Sequence, residues 1–331
     1  SGNVGDEFFV ELTDASGTAY TSNKVNVSEV TQTSTEPKII GFHHGAESTS
    51  LYTADNIHSN VFSDSTIETD FTYTVTTDSN KTTYTITPKE SYVASHVMIV
   101  GGGGNANGGV NGGGSGAGEL QLLENVELQS SQTITVVVGN SGINSSFVDT
   151  TAIAGGSGGY MEQAGGSGGS GGGSGSADGG SVQNPGQATG TGFGNAGGRG
   201  FRGSDPNRSG GGGGGAGGAG GNANGTEPGA GGAGMDMSHI FGTHYGEDGW
   251  FAGGGAGGPR STPHPPQRKG GKGGGGYINN SGNGQPHTGG GAQPYNGSSG
   301  GSGIVLIKYS KESTELKFNG TNKLIIENIR G

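Results

Sequence analysis

The side chains best suited to chemistry are concentrated in residues 235–251, which read Met-Asp-Met-Ser-His-Ile-Phe-Gly-Thr-His-Tyr-Gly-Glu-Asp-Gly-Trp-Phe. Histidine and carboxylate groups are the residue types that zinc sites and general acid–base catalysis use. The spacing of His239 and His244 from the neighbouring carboxylates matches no known ligand pattern. No Ser-His-Asp or paired-carboxylate arrangement is identifiable in the chain. The sequence therefore predicts neither an enzyme, nor a metal site, nor a cofactor.

A second segment with chemical potential is Gly270-Gly271-Lys272-Gly273, whose glycines and lysine invite interpretation as a phosphate-binding loop. Such loops place a Ser or Thr directly after the lysine and continue into a helix. Both features are missing here, so we do not predict a nucleotide site. The adjacent His43 and His44 suit neither helical nor alternating-strand metal geometry, and we interpret them as a loop pair.

Aromatic residues in the same loops favour recognition rather than catalysis. Rigid rings beside Asp, His and Arg suit sugar or protein surfaces, because they add contact area at a low entropy cost. Residues 195–208 and 259–272 are two further loops of this kind. The candidate receptor-binding residues are His239, Phe241, His244, Tyr245, Trp250, Phe251, Phe201, Arg202 and Arg260. The alternative is that Ile240 and the neighbouring Phe and Trp side chains only cap the scaffold as a small core.

The scaffold that must position these loops is extremely rich in glycine. Only seven of the chain's 80 glycines lie outside residues 101–303, whereas ordinary proteins contain roughly 7% glycine. Collagen is excluded, because the run Gly210 to Gly215 breaks a strict every-third-residue repeat. A disordered linker would not need the embedded aromatic residues, and a silk-like sheet needs a Gly-Ala alternation that is absent.

The remaining state is a packed bundle of left-handed polyproline-II-type helices made of glycine, with three residues per turn. Such helices have no internal hydrogen bonds, so neighbouring helices must bond to one another, and only glycine lets backbones approach closely enough. Residues 165–172 and 214–221 place a small non-glycine residue at every third position. In a threefold helix these residues would share one edge and leave two edges of bare backbone.

The elements flanking the glycine read as β-strands. Residues 71–87 alternate apolar side chains with threonines around a four-residue polar loop, which predicts a hairpin. We expect Ile99-Val100 and Ile304-Val305 to lie in one sheet that clamps both ends of the glycine stretch. Residues 120–138 predict a second hairpin. The predicted fold class is all-β with a glycine-rich polyglycine-II (polyproline-II-like) helix bundle and essentially no α-helix.

The charge and composition of the chain argue against two classes of partner, nucleic acids and membranes. A net charge of −11 with only 13% charged residues leaves no basic face for nucleic acid, and no stretch approaches the roughly 20 apolar residues of a membrane span. The absence of cysteine excludes disulfides and thiolate sites. Because the chain starts at Ser1 without Met or a signal peptide, we expect a processed product or a segment of something longer.

Four motifs in the glycine-rich stretch and at its borders carry a resemblance to a known family. These are Val97–Gly104 (VMIVGGGG), Thr135–Gly139 (TVVVG), Asn144–Gly156 with its Ala-Ile-Ala-Gly-Gly end, and Gly300–Tyr309 (GGSGIVLIKY). In this order they resemble the glycine-rich domain found in many phage tail-fibre and virion proteins. The polyglycine bundle also looks like the receptor-binding tips of some T-even-like phage fibres. The resemblance covers about Val97 to Tyr309 and implies a virion-surface or adhesion role.

The resulting division has three parts. Residues 1–96 form a β-rich N-terminal attachment region, residues 97–309 the glycine-rich domain with a β base and a polyglycine-II bundle, and residues 310–331 a β-hairpin or the start of a further domain. We expect a virion structural protein, of the tail-fibre or surface-adhesin type, located on the virion surface or outside the cell. Expected partners are other virion or filament subunits, further copies of the chain in a homo-oligomer, and a host-surface glycan or protein.

The alternative function is a secreted cell-surface or extracellular-matrix glycoprotein that acts as a structural spacer or filament unit. Eight Asn-X-Ser/Thr triplets occur, which give this alternative weak support, since chance supplies several in a chain of this composition.

Overall fold

The computed structural model describes residues 37–45, 70–205, 207–259, 269–277, 282–295 and 297–311 in full, together with the backbone of the strands outside these ranges. The described elements are nearly all strands, with one short helix, α1 (Ser238–Phe241). The strands are β1 (Glu7–Phe8), β2 (Glu11–Thr13), β3 (Ala19–Thr21), β4 (Val25–Ser34), β5 (Lys38–His43), β6 (Tyr52–Ala54), β7 (Phe71–Thr77), β8 (Lys81–Pro88), β9 (Tyr92–Val100), β10 (Leu120–Leu128), β11 (Ile134–Gly139), β12 (Ser145–Phe147), β13 (Thr150–Ala152), β14 (Met235–Asp236), β15 (Trp250–Phe251), β16 (Ile304–Ser310), β17 (Glu312–Phe318) and β18 (Lys323–Glu327).

Two five-stranded sheets form a sandwich. The first has the strand order β10-β9-β16-β5-β6 and the second the order β13-β12-β11-β8-β7. Their facing side chains form one buried cluster, in which Phe42 and Ile99 of the first sheet join Tyr84, Ile86 and Val136 of the second. The ring of Phe42 meets that of Tyr84 edge-on at 5.0 Å between centroids. Strands that alternate apolar and polar residues form this buried cluster, because successive side chains on a strand point to opposite faces of the sheet.

The first sheet is buried on both faces. Along β9, Val97 and Ile99 belong to the sandwich core, whereas Met98 and Val100 belong to a second cluster on the opposite face. This second cluster also contains Phe241, Tyr245 and Phe251 from the glycine-rich stretch. The apolar run that ends β9 therefore reflects burial on two sides, as expected for a central strand.

Three predictions about the strands can be compared with the pairing. The hairpin at residues 71–87 is confirmed as β7 paired antiparallel with β8. The shared sheet is confirmed too, because Ile304 pairs with Val100. The hairpin predicted at residues 120–138 is wrong: β10 pairs with β9, and β11 pairs with β8 in the other sheet. The alternation of apolar residues shows which face of each strand is buried, but it does not identify the neighbouring strand. Here β10 and β11 lie in different sheets, and residues 129–133 connect them.

The glycine segments are held by backbone hydrogen bonds that repeat every three residues. In residues 210–216, successive amides donate to three different neighbouring segments, and every third amide returns to the same one. Gly210, Gly213 and Ala216 donate to Gly258, Gly255 and Ala252; Gly211 and Gly214 donate to Ser174 and Gly171; Gly212 and Gly215 donate to Gly221 and Gly218. The carbonyls of the same segment accept from three other segments, through Gly229 and Gly232, Gly114 and Ala117, and Gly198.

Backbone contact on every side leaves no room for side chains. A Cβ atom on Gly213 would lie 1.9 Å from the carbonyl oxygen of Ser115, and one on Gly212 would lie equally close to that of Ala230. Residues 208–216 are buried throughout. Glycine is required here because of the close approach of neighbouring backbones.

The hydrogen-bond directions give the bundle two distinct ends. Residues 113–118 run parallel to 210–216, while 252–258 and 170–177 run antiparallel to them. Residue 119 continues into β10 and bonds to Gly101 after β9, so this end, which we call the sheet end, adjoins the first sheet. The turns at 178–183 and 224–228 lie at the opposite end, which we call the far end.

A further sheet combines strands from near both chain termini, in the order β1-β4-β17-β18. Strand β17 pairs antiparallel with β4 and with β18, and Leu316 lies opposite Leu324 in the latter pair. Strand β5 pairs with β16 in the first sheet of the sandwich. Residues before 97 thus contribute two strands, β5 and β6, to the sheet that holds the glycine segments, and the three-part division stays a prediction.

Candidate functional site

The loop richest in aromatic residues, 235–251, lies at the sheet end. Its two ends meet as the short antiparallel pair β14 and β15, in which Met235 lies opposite Phe251. Between them stands α1, a single helical turn. The loop therefore leaves and re-enters the bundle at the same place and is closed at its neck.

Three aromatic side chains of this loop, together with Met237, are buried against the first sheet. Phe251 has no exposed surface, while Phe241 is 2% exposed and Tyr245 is 7% exposed. They pack with Met98 and Leu306 in the second cluster. The burial of Phe241 and Phe251 is what the capping interpretation of the loop predicts, whereas the edge of Tyr245 still borders a small cleft.

Polar contacts fix the same loop to its surroundings. The Glu247 carboxylate accepts from the amides of Gly273 and Gly274, at 2.6 and 2.8 Å. Lys308 Nζ donates to the carbonyl of Ile240 at 2.8 Å. Lys272 Nζ lies 4.6 Å from the centre of the Trp250 ring, within the range of a cation–π contact. The loop is thus anchored at several points, and His239 and His244 remain exposed on it.

A small cleft of about 240 Å³ lies beside this loop and is lined by Gly41, His43, His244, Tyr245, Gly246, Pro286, His287 and Ile304. The rings of His43 and His287 lie 4.8 Å apart. Burial is the main cause that lowers the pKa of His287 to about 4, with smaller contributions from His43 and His44. His287 is therefore neutral at physiological pH. Within the described ranges, no three His or carboxylate residues are grouped as metal ligands.

A larger open groove, of about 470 Å³, lies at the far end. Its walls come from three successive excursions of the chain, and its lining residues are Ser181, Val182, Arg199, Gly200, Arg202, Asn222 and Ala223. We call this the arginine groove. Arg199, Arg202 and Asn222 are exposed.

Backbone contacts hold both arginines in place. Arg202 Nη2 donates to the Gly179 carbonyl at 2.6 Å, and Arg199 Nη2 donates to the Val182 carbonyl at 3.3 Å. Between them, a Cβ atom on Gly200 would lie 2.3 Å from the Gly175 carbonyl oxygen. The groove floor at Gly200 must therefore be bare backbone, with a guanidinium on either side.

The comparison with protein families agrees with the glycine-rich composition of the chain. A family described as "Glycine-rich domain" matches residues 76–310, which is more than two thirds of the chain. The chain belongs to this glycine-rich domain family. The searches of curated proteins and of solved structures returned no match. Within the described residues, no helix has the length and apolar character of a membrane span.

The glycine-rich domain does not bring the predicted binding residues together. His239, Phe241, His244, Tyr245, Trp250 and Phe251 lie at the sheet end, whereas Phe201 and Arg202 lie at the far end. Phe201 is half-buried, and its amide donates to the carbonyl of Ser209. Arg260 lies outside the described residues. The predicted residues therefore define two separate surfaces rather than one site.

Sequence reasoning missed Arg199, Ser181 and Asn222 as groove residues. A usable signal was present for Arg199, because it precedes Arg202 by three positions in Gly-Gly-Arg-Gly-Phe-Arg-Gly. In a segment whose contacts repeat every three residues, positions three apart share an edge. Ser181 and Asn222 carry no such signal, since they reach the groove only through the packing of distant segments.

Proposed function

We propose that this chain is a virion structural protein, of the tail-fibre or surface-adhesin type, that presents binding loops on a rigid polyglycine-II bundle. The observation that supports the bundle is the three-residue rotation of hydrogen bonds in residues 210–216, while the virion role rests on the resemblance of the bordering motifs to glycine-rich phage proteins. A threefold extended helix places successive amides about 120° apart, so each bonds to a different neighbour. The backbone angles agree with such a helix, because no glycine in residues 210–215 has a φ in the left-handed region.

Rigidity follows from this arrangement. Each glycine in residues 210–215 donates one backbone bond to a neighbouring segment, which offsets the large entropy cost of ordering glycine. Side chains with chemistry to vary are confined to the turns. A scaffold of this kind suits attachment, because recognition residues on turns can change while the hydrogen-bonded interior stays constant.

The two ends of the bundle suggest different roles. The sheet end is closed by the first sheet and by the buried rings of loop 235–251. The far end consists of turns, including 178–183 and 224–228, that bear exposed polar residues. We therefore place receptor binding at the far end, on a host-surface glycan or protein, and attachment to other virion subunits on the β-rich side.

Two measurements test the proposal. Hydrogen exchange should show protected amides in residues 113–118 and 210–216, and free exchange there would contradict a hydrogen-bonded bundle. Antibodies raised against the purified chain should label fibres or surface projections of virions in electron micrographs. Label confined to cell surfaces or extracellular filaments would contradict the virion role.

A secreted glycoprotein spacer is the second proposal. Four of the Asn-X-Ser/Thr asparagines, Asn80, Asn144, Asn207 and Asn224, are exposed, as N-glycosylation requires. Mass spectrometry of the chain isolated from its source distinguishes the two: glycans at several of these positions favour the spacer, and their absence favours the virion protein.

A further inference from the structure

The arginine groove concentrates positive charge on a protein that is otherwise acidic. The chain has a net charge of −11 and only 16 Lys and Arg residues, yet two of them line this groove within one short segment. No carboxylate is present among the described residues that line it. An anion approaching this surface would therefore meet guanidinium groups without a competing acid in the lining.

The acidic residue within the adjacent turn 178–183 is already paired. Asp178 Oδ2 lies 2.6 Å from Arg208 Nη1, and the Arg208 side chain is only 6% exposed. Asp178 therefore neutralises a buried arginine rather than the groove. This pairing leaves Arg199 and Arg202 as the exposed cations of the site.

The other lining residues provide neutral polar and small apolar groups. Asn222 Oδ1 accepts from the Arg199 amide at 2.8 Å, which leaves its Nδ2 as the donor end. Ser181 adds a hydroxyl that can donate or accept. Val182 and Ala223 add small apolar surface. Hydroxyl, amide and small apolar groups beside a cation match the mixed surface of a sugar ring that carries an acid group.

We infer that the arginine groove binds a carboxylate-bearing saccharide, with Arg199 and Arg202 contacting the carboxylate and Ser181 and Asn222 contacting ring hydroxyls. Guanidinium suits this task because its planar donors match a carboxylate in pairs. The inference deepens the proposed function and rests on it, since it names the ligand class of the far-end loops. An open groove of this size fits one or two sugar units of a longer chain.

Titration calorimetry on the full chain tests the inference with a galacturonic acid tetramer as the probe. The methyl-esterified tetramer is the matched ligand control, because it keeps the sugar and removes the charge. We expect saturable binding of the acid and at least tenfold weaker binding of the ester. Binding should also weaken as salt is raised, since exposed charges are screened.

Substitutions in the groove separate charge from geometry. Each of Arg199→Gln and Arg202→Gln should weaken binding about tenfold, as expected for loss of a hydrogen bond between charged groups. Arg202→Lys should retain part of the affinity, because lysine keeps the charge but not the planar donors. Lys89→Gln removes an exposed charge in the turn between β8 and β9 and should have no effect.

The outcomes distinguish this inference from the proposed function. Equal affinity for acid and ester, or unchanged affinity in the double variant Arg199→Gln/Arg202→Gln, would overturn the groove as an acidic-sugar site. Absence of binding to the acid by the unaltered chain would overturn it too. In these cases protected glycine amides and labelled virions would still support the scaffold and its location. Loss of that protection would instead remove the proposed function itself.

Discussion

The sandwich and the glycine bundle are two cores in one chain, held together by opposite means. In the sandwich, large side chains such as Tyr84 and Ile86 fill the space between two sheets, and stability comes from buried apolar area. In the bundle, backbones touch directly, and most of the buried side chains are the small ones of Ala and Ser. There the hydrogen bonds run between segments, and few bonds close within a segment.

The difference predicts how each core responds to mutation. A sandwich core can repack around a changed side chain, because neighbouring rotamers adjust. A bundle of backbones has no rotamers to adjust, so an added methyl group must separate whole segments. The bundle should therefore be far less tolerant of substitution than the sheets, although its residues are the simplest in the protein.

The largest expected effect comes from Gly213→Ala. The added Cβ would lie 1.9 Å from the Ser115 carbonyl oxygen, and relieving this clash would weaken the bond from the Gly213 amide to Gly255. We expect a loss of about 4 kcal/mol in the free energy of unfolding. Chemical denaturation followed by circular dichroism measures it.

Gly218→Ala is the matched control, because the nearest atom to its added Cβ is the Ala233 nitrogen at 3.6 Å. This variant should change stability by less than about 0.5 kcal/mol. If both variants were equally stable, the close backbone packing described for residues 210–216 would be wrong. If both were equally destabilised, glycine would be needed for its flexibility and not for its size.

A smaller effect is expected at the junction of the two cores, where Glu119 is 1% exposed. Its carboxylate accepts from the amides of Ile153 and Gly192 and from the Gln121 side chain. Glu119→Ala would leave the half-buried amides of Ile153 and Gly192 without their acceptor, while Gln121 keeps Thr191 Oγ1 as a partner. We expect a cost of about 3 kcal/mol. Thermal denaturation measures the loss.

Glu119→Gln keeps one acceptor oxygen and should lose about half as much stability. Glu124→Ala, an exposed position on the same strand β10, provides the surface control and should be nearly neutral. A Glu119→Ala variant as stable as the control would show that the junction is held by the sheets alone.

The parts of this fold that were predictable from sequence are those with a local pattern. Alternation identified β7 and β8, and the apolar runs around Val100 and Ile304 identified the clamp. The pairing of β10 and β11 was missed, because alternation reveals a buried face and not a partner. The position of loop 235–251 was open for a related reason. Its rings suit a binding surface or a cap equally well, and only the path of the glycine segments decides which sheet they meet.

The arginine groove illustrates the limit more sharply. Arg202 was a candidate because it stands beside Phe201 in a glycine context. Its neighbours Ser181 and Asn222 are brought to it by hydrogen bonds between segments distant in sequence. A threefold repeat predicts that Arg199 shares its edge. Which segments pack beside that edge depends on hydrogen bonds between many segments of the bundle, and a local pattern does not reveal these.

The smallest predicted effect concerns pH at the sheet end. The pKa of His287 is lowered to about 4, mainly by burial, so the folded chain keeps this ring neutral while the unfolded chain protonates it below its ordinary pKa of 6.5. The unfolded state then binds the extra proton, and stability falls as pH drops from about 6.5 to 4, by about 2 kcal/mol in total after allowance for partial exposure.

The variant His287→Asn should flatten this part of the stability profile, because asparagine does not titrate. Asparagine is chosen because it tolerates the left-handed φ of 60° at this position. His239→Asn, at an exposed position of loop 235–251, should leave the profile unchanged, and thermal melts across this pH range compare the three proteins. An identical slope in wild type and His287→Asn would show that the acid sensitivity of the fold does not come from His287.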